Sequence, residues 1–197
     1  MRGFPPLLRR PPSDARPKVR GLTLIELLVT ITIAGILTAM AAPSFSDFLI
    51  RNRSAAMANE LTSTVMRARN EAVTRNACVV VCRSAEPGAA TPTCDASSAN
   101  WQPGWIAFVD ETCAGTANSA ARAELLIVAA GPFDSRYSLT KSGANTARLV
   151  FAPSGNARAG DAGRFDLQYQ SSTRASNRGI CLNAQGRTRL VPLGESC

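Results

Sequence analysis

Gly21-Leu22-Thr23-Leu24-Ile25-Glu26 opens an apolar run that ends at Ala42, and Glu26 is its only charged residue. Leu22 to Ala42 spans 21 residues, and about 20 apolar residues match the hydrocarbon thickness of a bilayer. Inside hydrocarbon an ionised carboxylate costs several kcal/mol unless something neutralises it, so Glu26 needs a partner. An ordinary secretory signal would offer Ala39-Met40-Ala41 as a small-residue cleavage site, but its short apolar region does not normally carry a glutamate. A plain single-span anchor needs neither the glycine before the run nor the acid within it. Residues 1–21 are rich in proline and arginine. They read as a leader excluded from the folded product, whose positive charge holds the N-terminal side of the span inside. Arg9-Arg10 runs directly into prolines and does not make a twin-arginine signal.

A glycine, an apolar residue and a glutamate in this order resemble the N-terminus of type IV pilins and type II secretion pseudopilins. The resemblance implies that prepilin peptidase cuts after Gly21 and methylates the new amino terminus at Leu22, where most members carry phenylalanine. It further implies that this amine and the Glu26 carboxylate of a neighbouring subunit neutralise each other in the core of a filament. The expected layout is a leader over 1–21, a transmembrane and filament-core helix over 22–42, its amphipathic continuation over 43–76, and a periplasmic head over 77–197. The expected localisation is the bacterial inner membrane, single-pass, and a pilus or pseudopilus after assembly.

Past the apolar run, Phe45, Phe48 and Leu49 are followed by Leu61, Val65, Ala68 and Ala72, a helical stripe that predicts one buried face. Arg67 with Glu71 and Glu71 with Arg75 stand at i,i+4, and Asn76 is a suitable stop. Gly35 and Pro43 predict an interruption of the helix. From Leu22 to Arg75 the helix would be roughly 80 Å long.

From Ala77 onward the period changes to two and turn residues become dense, which predicts an all-β head and an α+β class overall. Strands are expected at 77–83, 104–110, 124–129, 136–140, 147–152, 164–169, 178–182 and 187–191. About 120 residues suffice for one modest core. Residues 84–103 form the longest loop, with Trp101 and Trp105 pinning its end.

The head charge is uneven. Without the leader the chain keeps 16 basic and 13 acidic side chains, but from Asp134 to Cys197 the balance is nine to four. Lys141 is the only lysine there. The rest is arginine, whose planar fork suits phosphate.

Six cysteines in an exported head predict disulfides instead of a metal site. Cys181 and Cys197 bracket the last hairpin, Cys82 and Cys94 bracket the long loop, and Cys78 and Cys113 remain. In a hairpin of 77–83 with 104–110, Cys78 lies at the end where Cys113 continues. The spacing of Cys78-Val79-Val80-Val81-Cys82 is not that of a C-x-x-C redox or zinc motif. The chain has no histidine and no G-x-S-x-G elbow, so catalysis is not expected; no cofactor or metal is implied.

Ala68-Arg69-Asn70-Glu71-Ala72, Val79-Val80-Val81-Cys82, Gly104-Trp105-Ile106-Ala107-Phe108-Val109-Asp110 and Leu149-Val150-Phe151-Ala152-Pro153-Ser154-Gly155 occur in this order. The series is similar to the GspH/FimT family, which joins the pseudopilin H of type II secretion to FimT, a minor type IV pilin that in some bacteria binds DNA for natural transformation. Gly186-Arg187-Thr188-Arg189 matches the G-R-x-R motif of the DNA-binding members. Alternation puts Arg187 and Arg189 on one face of a strand, and Gly186 lets backbone approach a ligand. Arg174 and Arg178, with Arg158 and Arg164, add basic charge nearby. The resemblance implies DNA as a partner, held by its phosphates without regard to sequence. The plainer reading is surface charge, or protection of a sheet edge.

Overall fold

The computed structural model describes residues 21–115, 125–170 and 177–197. The chain divides into two compact units, Met1–Ser44 and Phe45–Cys197. A single helix, α1, is assigned over Leu24–Arg75, and Gly35 and Pro43 lie inside it without ending it. It starts two residues later than the apolar pattern suggested. Thr23 is the reason: its Oγ1 accepts the Glu26 amide at 3.2 Å and its carbonyl accepts the Leu27 amide at 3.1 Å. Thr-x-x-Glu is the order of a capping box, which satisfies amides that a helix start leaves without partners.

In the first unit, every side chain from Leu22 to Met40 is exposed. The helix is long and apolar enough to cross a membrane. Its threonines hide their polarity: Thr30, Thr32 and Thr38 donate to the carbonyls of Leu27, Leu28 and Ala34 at 2.8, 2.7 and 2.9 Å. No hydroxyl among these three is left for the surroundings to satisfy.

In the second unit, the helix buries Met57, Ala58, Leu61, Val65, Ala68 and Ala72 against the sheets, each full-sized side chain contributing about 1.5–3 kcal/mol by burial. The predicted stripe holds from Leu61 onward but fails at its start: Phe45, Phe48 and Leu49 are exposed, whereas the next residue, Ile50, packs against the core and its carbonyl accepts the Tyr137 hydroxyl of the sheet at 3.2 Å. The end is a Schellman turn, with Asn76 at φ 49°, its amide on the Val73 carbonyl and the Ala77 amide on the Ala72 carbonyl. Glu71 pairs with Arg75 at 2.6 Å, whereas Arg67 has no ion-pair partner among the described residues.

Eight strands follow: β1 Cys78–Arg83, β2 Trp105–Asp110, β3 Leu126–Ala130, β4 Tyr137–Ser142, β5 Arg148–Phe151, β6 Gly163–Tyr169, β7 Arg178–Leu182 and β8 Thr188–Pro192. They make two four-stranded antiparallel sheets, β3-β2-β1-β5 and β4-β6-β7-β8. Inner faces of both join the helix in one core. The outer face of the first sheet has a second cluster, Val80, Ile106, Phe108 and Val150 with Cys78, Cys82 and Cys94. Covered on both faces, β1 and β2 are apolar without alternation, while β4 and β6 alternate.

Disulfides join Cys78 to Cys113, Cys82 to Cys94 and Cys181 to Cys197, the pairs the spacing suggested. The β1–β2 hairpin sets Cys78 opposite Asp110, which brings Cys113 within reach. Trp101 and Trp105 are fully buried. Their Nε1 atoms donate to the Thr146 carbonyl at 2.8 Å and to Thr64 Oγ1 at 3.1 Å, which pins the long loop at its end.

Candidate functional site

The β7–β8 hairpin is built by side-chain and backbone turns at its tip. Asn183 accepts the Gly186 amide on its carbonyl at 3.0 Å and the Arg187 amide on Oδ1 at 2.9 Å, the local competition that makes asparagine a turn former. Gly186 sits at φ 73°, where a Cβ would lie 2.7 Å from the Gly155 carbonyl oxygen and 3.0 Å from Arg69 Cδ. Only glycine fits. The tip is also tied to the preceding turn, since the Ala157 amide donates to the Ala184 carbonyl at 2.9 Å.

Arg187, just before β8, and Arg189, on it, are both exposed. Arg189 pairs with Cys181 in the ladder and stands on the outer face of the sheet. Its guanidinium reaches one neighbour, the Ser196 carbonyl, at a long 3.5 Å. No carboxylate among the described residues pairs with either arginine. β8 is an edge strand, and the C-terminal segment lies beside Arg189, tied to β7 by the Cys181–Cys197 disulfide.

The other arginines singled out from the sequence are placed differently. Arg178 pairs with Leu167 and Pro192 and shares the face of Ile180 and Leu182, the core side, opposite Arg189. Its Nε is buried and makes no hydrogen bond. Strand parity therefore removes it from the basic face expected of it. Arg164 is paired with Asp166 at 2.5 Å. Arg158 donates to the carbonyls of Cys113 and Ala114, closing the loop after β2. Arg174 lies outside the described residues.

A cleft of about 250 Å³ runs between the hairpin and the helix, lined by Met66, Arg69, Asn70, Gly186, Arg187 and Thr188. The sequence reading did not place Arg69 in a site. Its signal is positional: it follows Ala68 and stands four residues after Val65, at the border of the buried stripe, where a long side chain can lie over the head. Thr23 was missed as well, although Thr23-x-x-Glu26 is a helix-start signature. A second cleft of about 290 Å³ is lined in part by Arg53, Met57, Glu60, Phe133, Asp134 and Tyr137; Asp134 there pairs with Arg136 at 2.5 Å and Arg53 at 3.2 Å, and the cleft carries two carboxylates. Among the described residues no group of histidine, cysteine, aspartate or glutamate side chains is placed to hold a metal ion.

At the other predicted site, Gly21, Leu22 and Glu26 are all exposed, with Glu26 in the first turn of the helix.

The family model described as Type II transport protein GspH matches residues 57–186. The chain belongs to the GspH family. A model described as the prokaryotic N-terminal methylation motif matches residues 16–42, so the N-terminal segment and the head of this GspH-family chain are matched separately. Two proteins of Moraxella bovis, the type IV major alpha-pilin and fimbrial protein Q, are each 39% identical to it over 44 residues. That is 22% of this chain, and the chain spans only 28% of the length of these curated relatives. The type IV minor pilin FimU of Pseudomonas aeruginosa PAO1 superposes with a TM-score of 0.53 at 17% identity, over 76% of this chain and 96% of that one. The GspH-family chain thus has the type IV pilin fold, one long N-terminal helix and antiparallel sheets.

Proposed function

We propose that this protein is a minor pilin or pseudopilin, processed after Gly21 by prepilin peptidase, methylated at Leu22, and anchored in the bacterial inner membrane with its head in the periplasm before assembly. The methylation motif and the exposed apolar helix support this reading. In a filament of such helices, the amine of Leu22 and the Glu26 carboxylate of a neighbour neutralise each other, so a charge that is costly in hydrocarbon specifies subunit register. A Glu26→Ala protein should still be cleaved after Gly21 yet fail to enter filaments; normal incorporation refutes the pairing.

The head, in this proposal, captures DNA without sequence preference. The observation that carries it is the pair of exposed arginines of the β7–β8 hairpin, Arg187 at its turn and Arg189 on the edge strand, with no carboxylate partner among the described residues. Such arginines bind phosphates by bidentate contacts and counterion release, so binding weakens steeply with salt. Few phosphates are engaged per head, and several heads on one filament supply avidity. The test is anisotropy of labelled duplex DNA titrated with the detergent-solubilised, oxidised protein at several salt concentrations. An Arg187→Gln/Arg189→Gln protein should lose binding and salt slope while its melting temperature stays the same. Binding that ignores salt, or equal binding by the variant, removes DNA from the proposal.

The family description favours a second reading, a pseudopilin of type II secretion whose head meets other pseudopilins and exported protein. Neighbouring secretion genes would favour it, and pilus or competence genes the first. A purely structural role in priming pilus assembly would show as loss of piliation without DNA affinity.

A further inference from the structure

We propose that the cleft between helix α1 and the β7–β8 hairpin is a seat for one backbone phosphate of nucleic acid, with Arg69 of the helix acting beside Arg187 of the hairpin. This rests on the DNA reading of the hairpin and extends it to a residue from a distant part of the chain.

Three segments meet here that nothing in the sequence requires to be neighbours. The helix supplies Ala68-Arg69-Asn70, the turn after β5 supplies Gly155, and the hairpin supplies Gly186-Arg187. Arg69 Nε donates to the Gly155 carbonyl at 3.0 Å, which fixes the guanidinium plane. Its two Nη groups have no partner among the described residues. Gly155 has φ 78°, and a Cβ there would meet Arg69 Nε at 3.3 Å and Val73 Cγ2 at 3.0 Å. Side chains at either glycine would fill the space that the arginine occupies.

The lining matches a phosphodiester. Two guanidinium groups border one cleft of about 250 Å³, and no carboxylate lines it. Like charges so placed repel, and an anion between them relieves the repulsion. The Asn70 amide and the Thr188 hydroxyl are further donors of the kind that position a phosphate. Met66, 55% exposed, adds an apolar wall against which a sugar can pack. Because Arg69 is already oriented by Gly155, little side-chain freedom is lost when a phosphate arrives.

The experiment compares the full, oxidised protein in a neutral detergent with Arg69→Gln, Asn70→Asp and Arg67→Gln variants. Asn70→Asp leaves the bond from Arg69 to Gly155 in place and sets a carboxylate in the cleft, so it tests the site even if Arg69→Gln fails to fold. Arg67→Gln removes equal charge from the exposed helix outside the cleft. DNA affinity is measured against salt, and melting temperature against inorganic phosphate with chloride at matched ionic strength. Expected are a fall of roughly tenfold in DNA affinity and a salt slope smaller by about 1 for Arg69→Gln and Asn70→Asp. The Arg67→Gln protein should change far less. Phosphate should raise the melting temperature of the wild type more than chloride does, and not that of Asn70→Asp. If DNA binds but Asn70→Asp and Arg67→Gln behave alike, the cleft is overturned and the hairpin reading stands. If DNA does not bind but phosphate stabilises through the cleft, the cleft stands and the DNA reading falls. Absence of both effects overturns both.

Discussion

Two stretches near the N-terminus, one apolar on every side and the other apolar along a single stripe, have opposite fates. From Leu22 to Met40 every side chain is exposed, whereas Met57, Ala58, Leu61, Val65, Ala68 and Ala72 are covered by strands of the same chain. The difference is pattern. In the first stretch apolar residues surround the helix and a single carboxylate interrupts them; in the second they occupy one stripe and charged residues hold the rest. A stripe can be satisfied by its own chain. A helix apolar on every side requires a medium or other copies of itself to cover it.

The largest effect that can test this contrast is Leu61→Ala, expected to remove about 2–5 kcal/mol from the head by leaving a cavity. Urea unfolding of the detergent-solubilised protein measures it, and a change under 1 kcal/mol would mean the stripe is not the keel of the core. Next comes Gly186→Ala, which forces a Cβ to within 2.7 Å of the Gly155 oxygen at a left-handed φ. It should lower head stability by about 1–3 kcal/mol, and a neutral result would show that the hairpin tip is free of the helix.

Acid gives a smaller effect confined to the head. Hydrogen bonds from Ser97, with help from Arg83, hold Asp95 at about 2, below the ~3.9 of a free aspartate. A carboxyl depressed by folding stabilises the fold above the unfolded value, and that contribution is lost as pH falls from about 4 towards 2. Asp134, held at about 2 by hydrogen bonds from Arg136, adds in the same direction. Unfolding midpoints of wild type and Asp95→Asn at pH 7, 4 and 2.5 should converge at the acid end; parallel curves would dismiss the aspartate. Smallest of all is Leu28→Ala, in the exposed stretch, which should leave head stability within about 0.5 kcal/mol of wild type. A loss like that of Leu61→Ala would erase the contrast between the two stretches.

Most of the fold was legible. Alternation and turn residues placed all eight strands to within two residues, because punctuation by glycine, proline and asparagine is local chemistry. The disulfides followed from the β1–β2 pairing and from loops of short reach. Phe45, Phe48 and Leu49 are exposed against expectation, since periodicity says which face could be buried but not how far along the helix the sheets extend. The start at Leu24 was missed because hydropathy overrode the cap at Thr23. Of the candidate site, Gly186, Arg187 and Arg189 were readable as a motif. Arg178 was misplaced because face assignment depends on ladder register, and Arg164 because Asp166 sits beside it only on the same strand face. Arg69 belongs to a constellation of three segments, and sequence distance carries no sign of it.

The junction of Gly155, Gly186 and Arg69 also bears on engineering. A protein engineer who transplants the G-R-x-R hairpin into another pilin head would move the arginines without the turn and helix residues that the hairpin tip rests on. Residues 66–70 and the turn at 152–157 should travel with it as a single cassette, and a comparison of related heads would be expected to find these three positions exchanged together.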